Sequence, residues 1–123
     1  MYEAGVKYVG RLFVLYLFPG DDLARAVVAS KRVGNAVTRN RAKRLLREAI
    51  RSRIETNPDA AAELRRRHWP ADEDRAGLWI VAVARQRMVG RKFGEVEAEF
   101  ERLLERPAAE PDRSPDQSSG RAT

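Results

Sequence analysis

"GNAVTRNRAKRLLREAIR", residues 34–51, sets arginines on what reads as the first turn of a helix and repeats them along one side. At 100° per residue, Ala42, Leu45, Leu46, Ala49 and Ile50 gather into an apolar stripe. Asn40, Lys43, Arg44, Arg47 and Arg51 fall within about 100° of one another, centred nearly opposite. The stripe must pack on another layer, which turns the basic side outward. The Gly-Asn-Ala turn puts Asn35 or Thr38 in position to cap the helix, which the pattern carries to about Arg53. The charges oppose the helix's own electrostatics. Unpaired N–H groups at a helix start favour acids, so Arg39 and Arg41 are misplaced there. Lys43/Arg47 and Arg47/Arg51 are like-charge i,i+4 pairs, each costing roughly 0.2–0.5 kcal/mol. Glu48 is placed to relieve Arg44 and Arg51, one acid among many bases. The balancing negative charge is expected from outside the chain.

From Lys31 to Arg53 nine bases accompany one acid, a net +8, although the whole 123-residue chain carries only +6. The rest of the molecule is therefore slightly acidic, and its basic character belongs to one element. Arginine forks and a helix N-terminus both suit phosphate oxygens, whereas a face serving only solubility would mix signs. A phosphate-bearing partner is expected; charge alone does not separate RNA from DNA. The length suits one small domain. Without cysteine there is neither a disulfide framework nor a cysteine zinc site, which fits the cytoplasm. The longest apolar run, "LWIVAVA" at 78–84, is far too short to span a bilayer, and no membrane partner is expected.

Upstream of the basic stretch, "RLFVLYLF" at 11–18 reads as a strand ending in a "PGDD" turn, and "RAVVAS" at 25–30 as another. "VKYV" at 6–9 is a short strand of its own, with Gly10 as a bend or bulge. Downstream, "DAAAELRRRHW" at 59–69 either forms a short helix or prolongs the first. "LWIVAVA" runs apolar without alternation, the pattern of a strand buried on both faces. Phe93, Val96, Phe100, Leu103 and Leu104 give a second amphipathic helix over 91–106, with Glu95, Glu99 and Glu105 on its outer side. Residues 107–123 carry proline, serine and charge with almost no bulky apolar side chain, and are expected to be disordered.

Chemistry-bearing candidates beyond the basic helix are few. Strand alternation puts Tyr16 and Phe18 on one face and Phe13 on the other. Tyr16 is the best placed of the three to stack on a base, since its hydroxyl prefers a wet neighbour. His68 is the sole histidine and has no cysteine or second histidine to make a metal site. The acids Asp21/Asp22 and Asp72/Glu73/Asp74 read as solvated turns rather than ion ligands. No Ser/His/Asp or Cys/His set can be assembled, so no catalytic residue is assigned.

"SKRVGNAVTRNRAKRLLREAIR", Ser30 to Arg51, closely resembles the signature of the bacterial ribonuclease P protein component: the Gly-Asn-Ala turn, the Arg39-Asn40-Arg41 triplet and the basic helix occur together in order. The likeness extends through "GRLFVLY" and "LWIVAVAR" to the last helix, over residues 5–106. It implies an α/β (α+β) two-layer sandwich with a left-handed βαβ crossover, as in the ribosomal-protein-like superfamily, forming one RNA-binding domain over 1–106. It also implies a subunit that binds a catalytic RNA and the 5′ leader of precursor tRNA and assists 5′ maturation, the chemistry residing on the RNA. Magnesium would be held mainly by that RNA and none by the protein alone. The family's RNA contacts would fall on Lys31, Arg32, Arg39, Asn40, Arg41, Lys43, Arg44, Arg47 and Arg51, with the leader held by Tyr16, Lys43 and Arg47. The alternative is a ribosomal or general RNA-binding protein with no role in cleavage. Two departures stand out. Members of this family usually begin with a further helix bearing aromatics, which this sequence lacks, so either its start is assigned too late or an apolar sheet face is left uncovered; the first is the expectation. The connection over 55–77 is also longer than usual.

Overall fold

The computed structural model describes residues 5–70 and 77–105. The expected disorder of 107–123 and the acidic triplet at 72–74 lie outside those residues. In chain order the elements are β1 (Val6–Val9), β2 (Phe13–Gly20), β3 (Leu23–Val28), α1 (Ala36–Ile50), a π-helical turn (Arg51–Glu55), α2 (Pro58–His68), β4 (Gly77–Ala84), a 3-10 turn (Gln86–Met88) and α3 (Phe93–Glu105). The mixed α+β fold expected from the sequence is therefore present, with a four-stranded sheet and three α-helices among the described residues.

The strand order is β1-β2-β4-β3. β1 pairs antiparallel with β2, β2 antiparallel with β4, and β4 parallel with β3. A parallel pair needs a crossover, and α1 and α2 lie on the connection from β3 to β4. Asn57 and Pro58 separate α2 from α1's extension; Pro58 sits at the start of α2, where its missing N–H costs nothing. The 59–69 stretch is thus a separate helix.

Strand alternation sorts the side chains. Phe13, Leu15 and Leu17 of β2 and Leu78, Ile80, Ala82 and Ala84 of β4 are buried on one face. They meet Ala42, Leu46, Ala49 and Ile50 of α1, Leu64 of α2, and Val96, Phe100 and Leu103 of α3 in one core. The Phe13 and Phe100 rings lie 4.8 Å apart. The opposite face carries Lys7, Val14, Tyr16, Phe18, Trp79, Val81 and Val83, none fully buried. Strand 78–84 is therefore not buried on both faces: Trp79 is 43% exposed, and among the described residues no helix packs over it. An unbroken apolar run looked doubly covered because this outer face is itself apolar.

Two other expectations are corrected. Pro19 and Gly20 belong to β2, paired with Leu78 and Gly77, so the turn is only Asp21–Asp22. Among the described residues β1's register with β2 runs from Val9↔Val14 to Val6↔Leu17, so no described ladder partner on that side needs an N–H from Pro19. Glu99 does not lie on the outer side of α3: it is 2% exposed, between Val96 and Phe100 on the packed face, and its carboxylate accepts the Leu12 N–H at 2.7 Å and an Arg102 N–H at 2.9 Å. β2 and β3 are consecutive yet not neighbours, because β4 lies between them. The link from Gly20 to Leu23 passes over Gly77, where an added Cβ would collide with the backbone of Asp22. Two strand spacings are about 9.5 Å, close to the roughly 10 Å that three extended residues can reach, so the link is nearly taut.

Candidate nucleic-acid interface

Residues 31–35 deliver the chain to α1. Val33 is buried and anchors the loop, and Gly34 takes φ +151°, a region open to glycine. Asn35 is the cap: its Oδ1 accepts the Thr38 N–H at 2.9 Å. No acid occupies the first turn, so α1 opens toward solvent with its N–H groups and Arg39 unopposed by carboxylates. Burial of Ala42, Leu46, Ala49 and Ile50 fixes the rotation of the helix, with Leu45 half-buried beside them.

That rotation leaves Asn40, Arg41, Arg44, Arg47 and Arg51 exposed and Arg39 and Lys43 half-buried; Lys31 and Arg32 stand exposed on the preceding loop. Among the described residues, the side chains of Lys31, Arg32, Arg39, Lys43, Arg44 and Arg47 make no ion pair or hydrogen bond. The other two cations of the set have internal partners: Arg41 donates to the Arg91 carbonyl at 3.0 Å and Arg51 pairs with Glu48. Glu48 relieves Arg51 and leaves Arg44 unmatched. Elsewhere cations are widely matched: Arg25 with Glu55, Arg53 with Glu97 and Glu101, Arg66 and Arg67 with Glu63, Arg102 with Glu99. Arg53, which contributed to the basic count of this segment, thus turns to α3 rather than to solvent. Unmatched positive charge is concentrated on the loop before α1 and along its outer side, a geometry suited to a row of phosphates.

Tyr16 lies on the outer face of the sheet, half-buried, with Lys7 Nζ 5.8 Å from its ring centroid. Phe18 shares its face and Phe13 points into the core, as alternation requires. α1 packs on the other face, which puts Tyr16 across the sheet from the helix that carries Lys43 and Arg47. Sequence reasoning missed Trp79, which is paired across the sheet with Phe18 and donates from Nε1 to Asp22 Oδ1 at 3.0 Å. Its outward position was hidden by the apolar run around it. His68 Nε2 lies 2.7 Å from the Tyr8 hydroxyl, and burial, reinforced by the Arg67 charge, holds the imidazole pKa below its ordinary value. Among the described residues no three His, Asp or Glu side chains are grouped to hold a metal ion, and no helix is long and apolar enough to cross a membrane.

Comparison with known proteins gives a concordant picture. A family sequence profile described as Ribonuclease P matches residues 1–108. The ribonuclease P protein component of a Nitratiruptor species is 30% identical over 104 residues, covering 85% of this chain and 79% of that protein. That of Shouchella clausii is 50% identical over 53 residues, a match that spans 41% of this chain and 43% of its own length. Among solved structures, the RNase P protein from Thermotoga maritima superposes with a TM-score of 0.58 at 23% identity, covering 85% of this chain and 86% of that one, a likeness of fold.

Proposed function

The chain belongs to the ribonuclease P protein family, and from that premise we propose that it acts as the protein subunit of ribonuclease P, binding the catalytic RNA and the 5′ leader of precursor tRNA. The observation that carries this reading is the segregation of charge: among the described residues Lys31, Arg32, Arg39, Lys43, Arg44 and Arg47 make no ion pair while arginines elsewhere are widely paired. RNA phosphates supply the missing negative charge, and Asn40 adds an uncharged donor and acceptor within the row. Arg41 and Arg51 contribute from either end, sharing their charge with internal partners. Tyr16, on the opposite face of the sheet, offers a ring to an unpaired leader base, with Lys7 beside it for the backbone.

Catalysis is assigned to the RNA. The described residues do not fit a protein-held magnesium site, for they present no cluster of carboxylates or imidazoles, and no step is attributed to a side chain. The protein's part is to bring substrate and catalytic RNA together by screening the repulsion between two polyanions.

The decisive experiment adds the full chain to the catalytic RNA and precursor tRNA and measures the magnesium needed for cleavage. A lowered requirement is expected, and an unchanged one favours a general RNA-binding protein without a role in cleavage. Arg47→Glu is expected to weaken RNA binding most at low salt, flattening the slope of log K against log[salt] by at least the ~0.7–0.9 that one phosphate contact contributes. Unaltered affinity would remove α1 from the interface.

A further inference from the structure

The segment "RQRMVGRK", residues 85–92, holds four bases and no acid, and the reading above does not use it. It is an ordered connection. Met88 N–H bonds to the Arg85 carbonyl at 2.9 Å, Val89 N–H to Gln86 at 3.1 Å and Arg91 N–H to Met88 at 3.1 Å, while Gly90 makes the bend at φ +81°. Met88 is buried in the core with Ala42. Arg41, inside the Arg39-Asn40-Arg41 triplet, donates to the Arg91 carbonyl, so this segment is docked on the basic end of α1.

Two of the four bases are structural. Arg85 Nη1 donates to the Gly10 carbonyl at 2.7 Å, and Arg91 bonds the Arg87 carbonyl and Glu95. Glu95, the nearest acid in sequence, is also taken by the Lys92 backbone N–H at 2.9 Å. The side chains of Arg87 and Lys92 are exposed and make no hydrogen bond or ion pair among the described residues, Lys92 sharing only the longer-range field of Glu95, whose carboxylate is already engaged. Between this segment and α1 lies a cavity of about 210 Å³, with Val37, Thr38 and Arg41 on one wall and Met88, Val89 and Gly90 on the other. Val37 is 77% exposed and Val89 46%, two valines in water at the mouth of one slot. Apolar surface flanked by unmatched cations suits a polymer that alternates anionic phosphates with flat, partly apolar ribose and base. A solvated surface would explain the cations and leave the valines without a reason.

We propose that residues 85–92 form a second RNA contact continuous with the α1 ridge, in which Arg87 and Lys92 take phosphates and Val37 and Val89 receive a ribose or base between them. The inference rests on the RNA-binding reading of α1 and extends its footprint across the triplet to the other side of the helix start.

The test measures binding of the full chain to the catalytic RNA across a salt series, with Arg47→Glu run in parallel. Arg87→Ala/Lys92→Ala is expected to lower affinity about five-fold per contact at 0.1 M salt and to flatten the salt slope by about 1.4–1.8. Both residues are exposed, so the thermal midpoint should be unchanged. Val37→Ala/Val89→Ala is expected to lower affinity with the slope unmoved, because no charge is removed. If Arg47→Glu weakens binding while both double variants match the wild type, the segment is no RNA contact and the inference is overturned. If Arg47→Glu is also silent, the reading of α1 itself has failed. A loss that appears only with an acidic protein, and not with RNA, assigns the slot to a different partner and equally overturns it.

Discussion

His68 couples α2 to β1 through one hydrogen bond, and its protonation state decides which partner donates. Arg67 Nη1 donates toward the Tyr8 oxygen at 3.5 Å, which directs the tyrosine hydrogen to His68 Nε2. A protonated imidazole can only donate, so the bond must reverse, the Tyr8 oxygen then faces two cationic donors, and a second cation stands beside Arg67. The folded-state pKa therefore lies below that of the unfolded chain, first from burial and then from Arg67. Over the interval between the two values the unfolded chain binds more protons, so stability rises with pH. The full benefit is present above about pH 6.5 and is lost as pH falls toward the depressed value. Urea midpoints across this range should show that slope in the wild type and a flatter one in His68→Gln, which cannot titrate; equal slopes would show that His68 is not the sensor. The sequence told only that His68 lacked fellow ligands. Its partner is 60 positions away in the chain, beyond the reach of any local pattern. Glu99 shows the converse limit, since helical spacing places it beside Val96 and Phe100 but its charge argued for water. The Leu12 N–H that it caps comes from the β1–β2 loop, 87 positions away.

At the scale of elements, α1 was the most legible, because its apolar stripe, its cap and its opposed cations all follow from one period. Asn35, one of two candidate caps, proves to be the cap. β2 was legible from its run of β-formers, and β1 as a short strand of its own before Gly10. Sheet order was not, for nothing local announces that β4 inserts between β2 and β3. Gly77 is the point where that insertion is most confined. An added methyl group there would collide with the Asp22 backbone nitrogen and carbonyl oxygen, and the Leu78 N–H bonds the same carbonyl at 3.0 Å. Gly77→Ala must therefore shift backbone rather than a flexible side chain, and is expected to cost about 1–3 kcal/mol. Chemical denaturation would measure it; a change below about 0.5 kcal/mol, the range of ordinary surface substitutions, would mean that the link has slack.

Across the whole molecule, charge and apolar surface are each sorted to one side. The cationic row lies outside α1, and the aromatic sheet face with Tyr16, Phe18 and Trp79 lies opposite the helices. The row was readable from a count of bases, whereas a sheet face covered by no described helix was only the second of two alternatives, because an apolar run does not reveal how many sides of it are packed. The threading of β4 has a kinetic corollary. On an emerging polypeptide β2 and β3 are present long before residues 77–84, and nothing yet holds them two spacings apart. Their direct union as a hairpin is a competing structure that β4 must prevent or undo, so closure of the sheet is expected to be the late step of folding. Once seated, β4 is bonded on both edges, and its amides should be the slowest to exchange with deuterium; faster exchange there than in β1 would show that the inserted strand opens first.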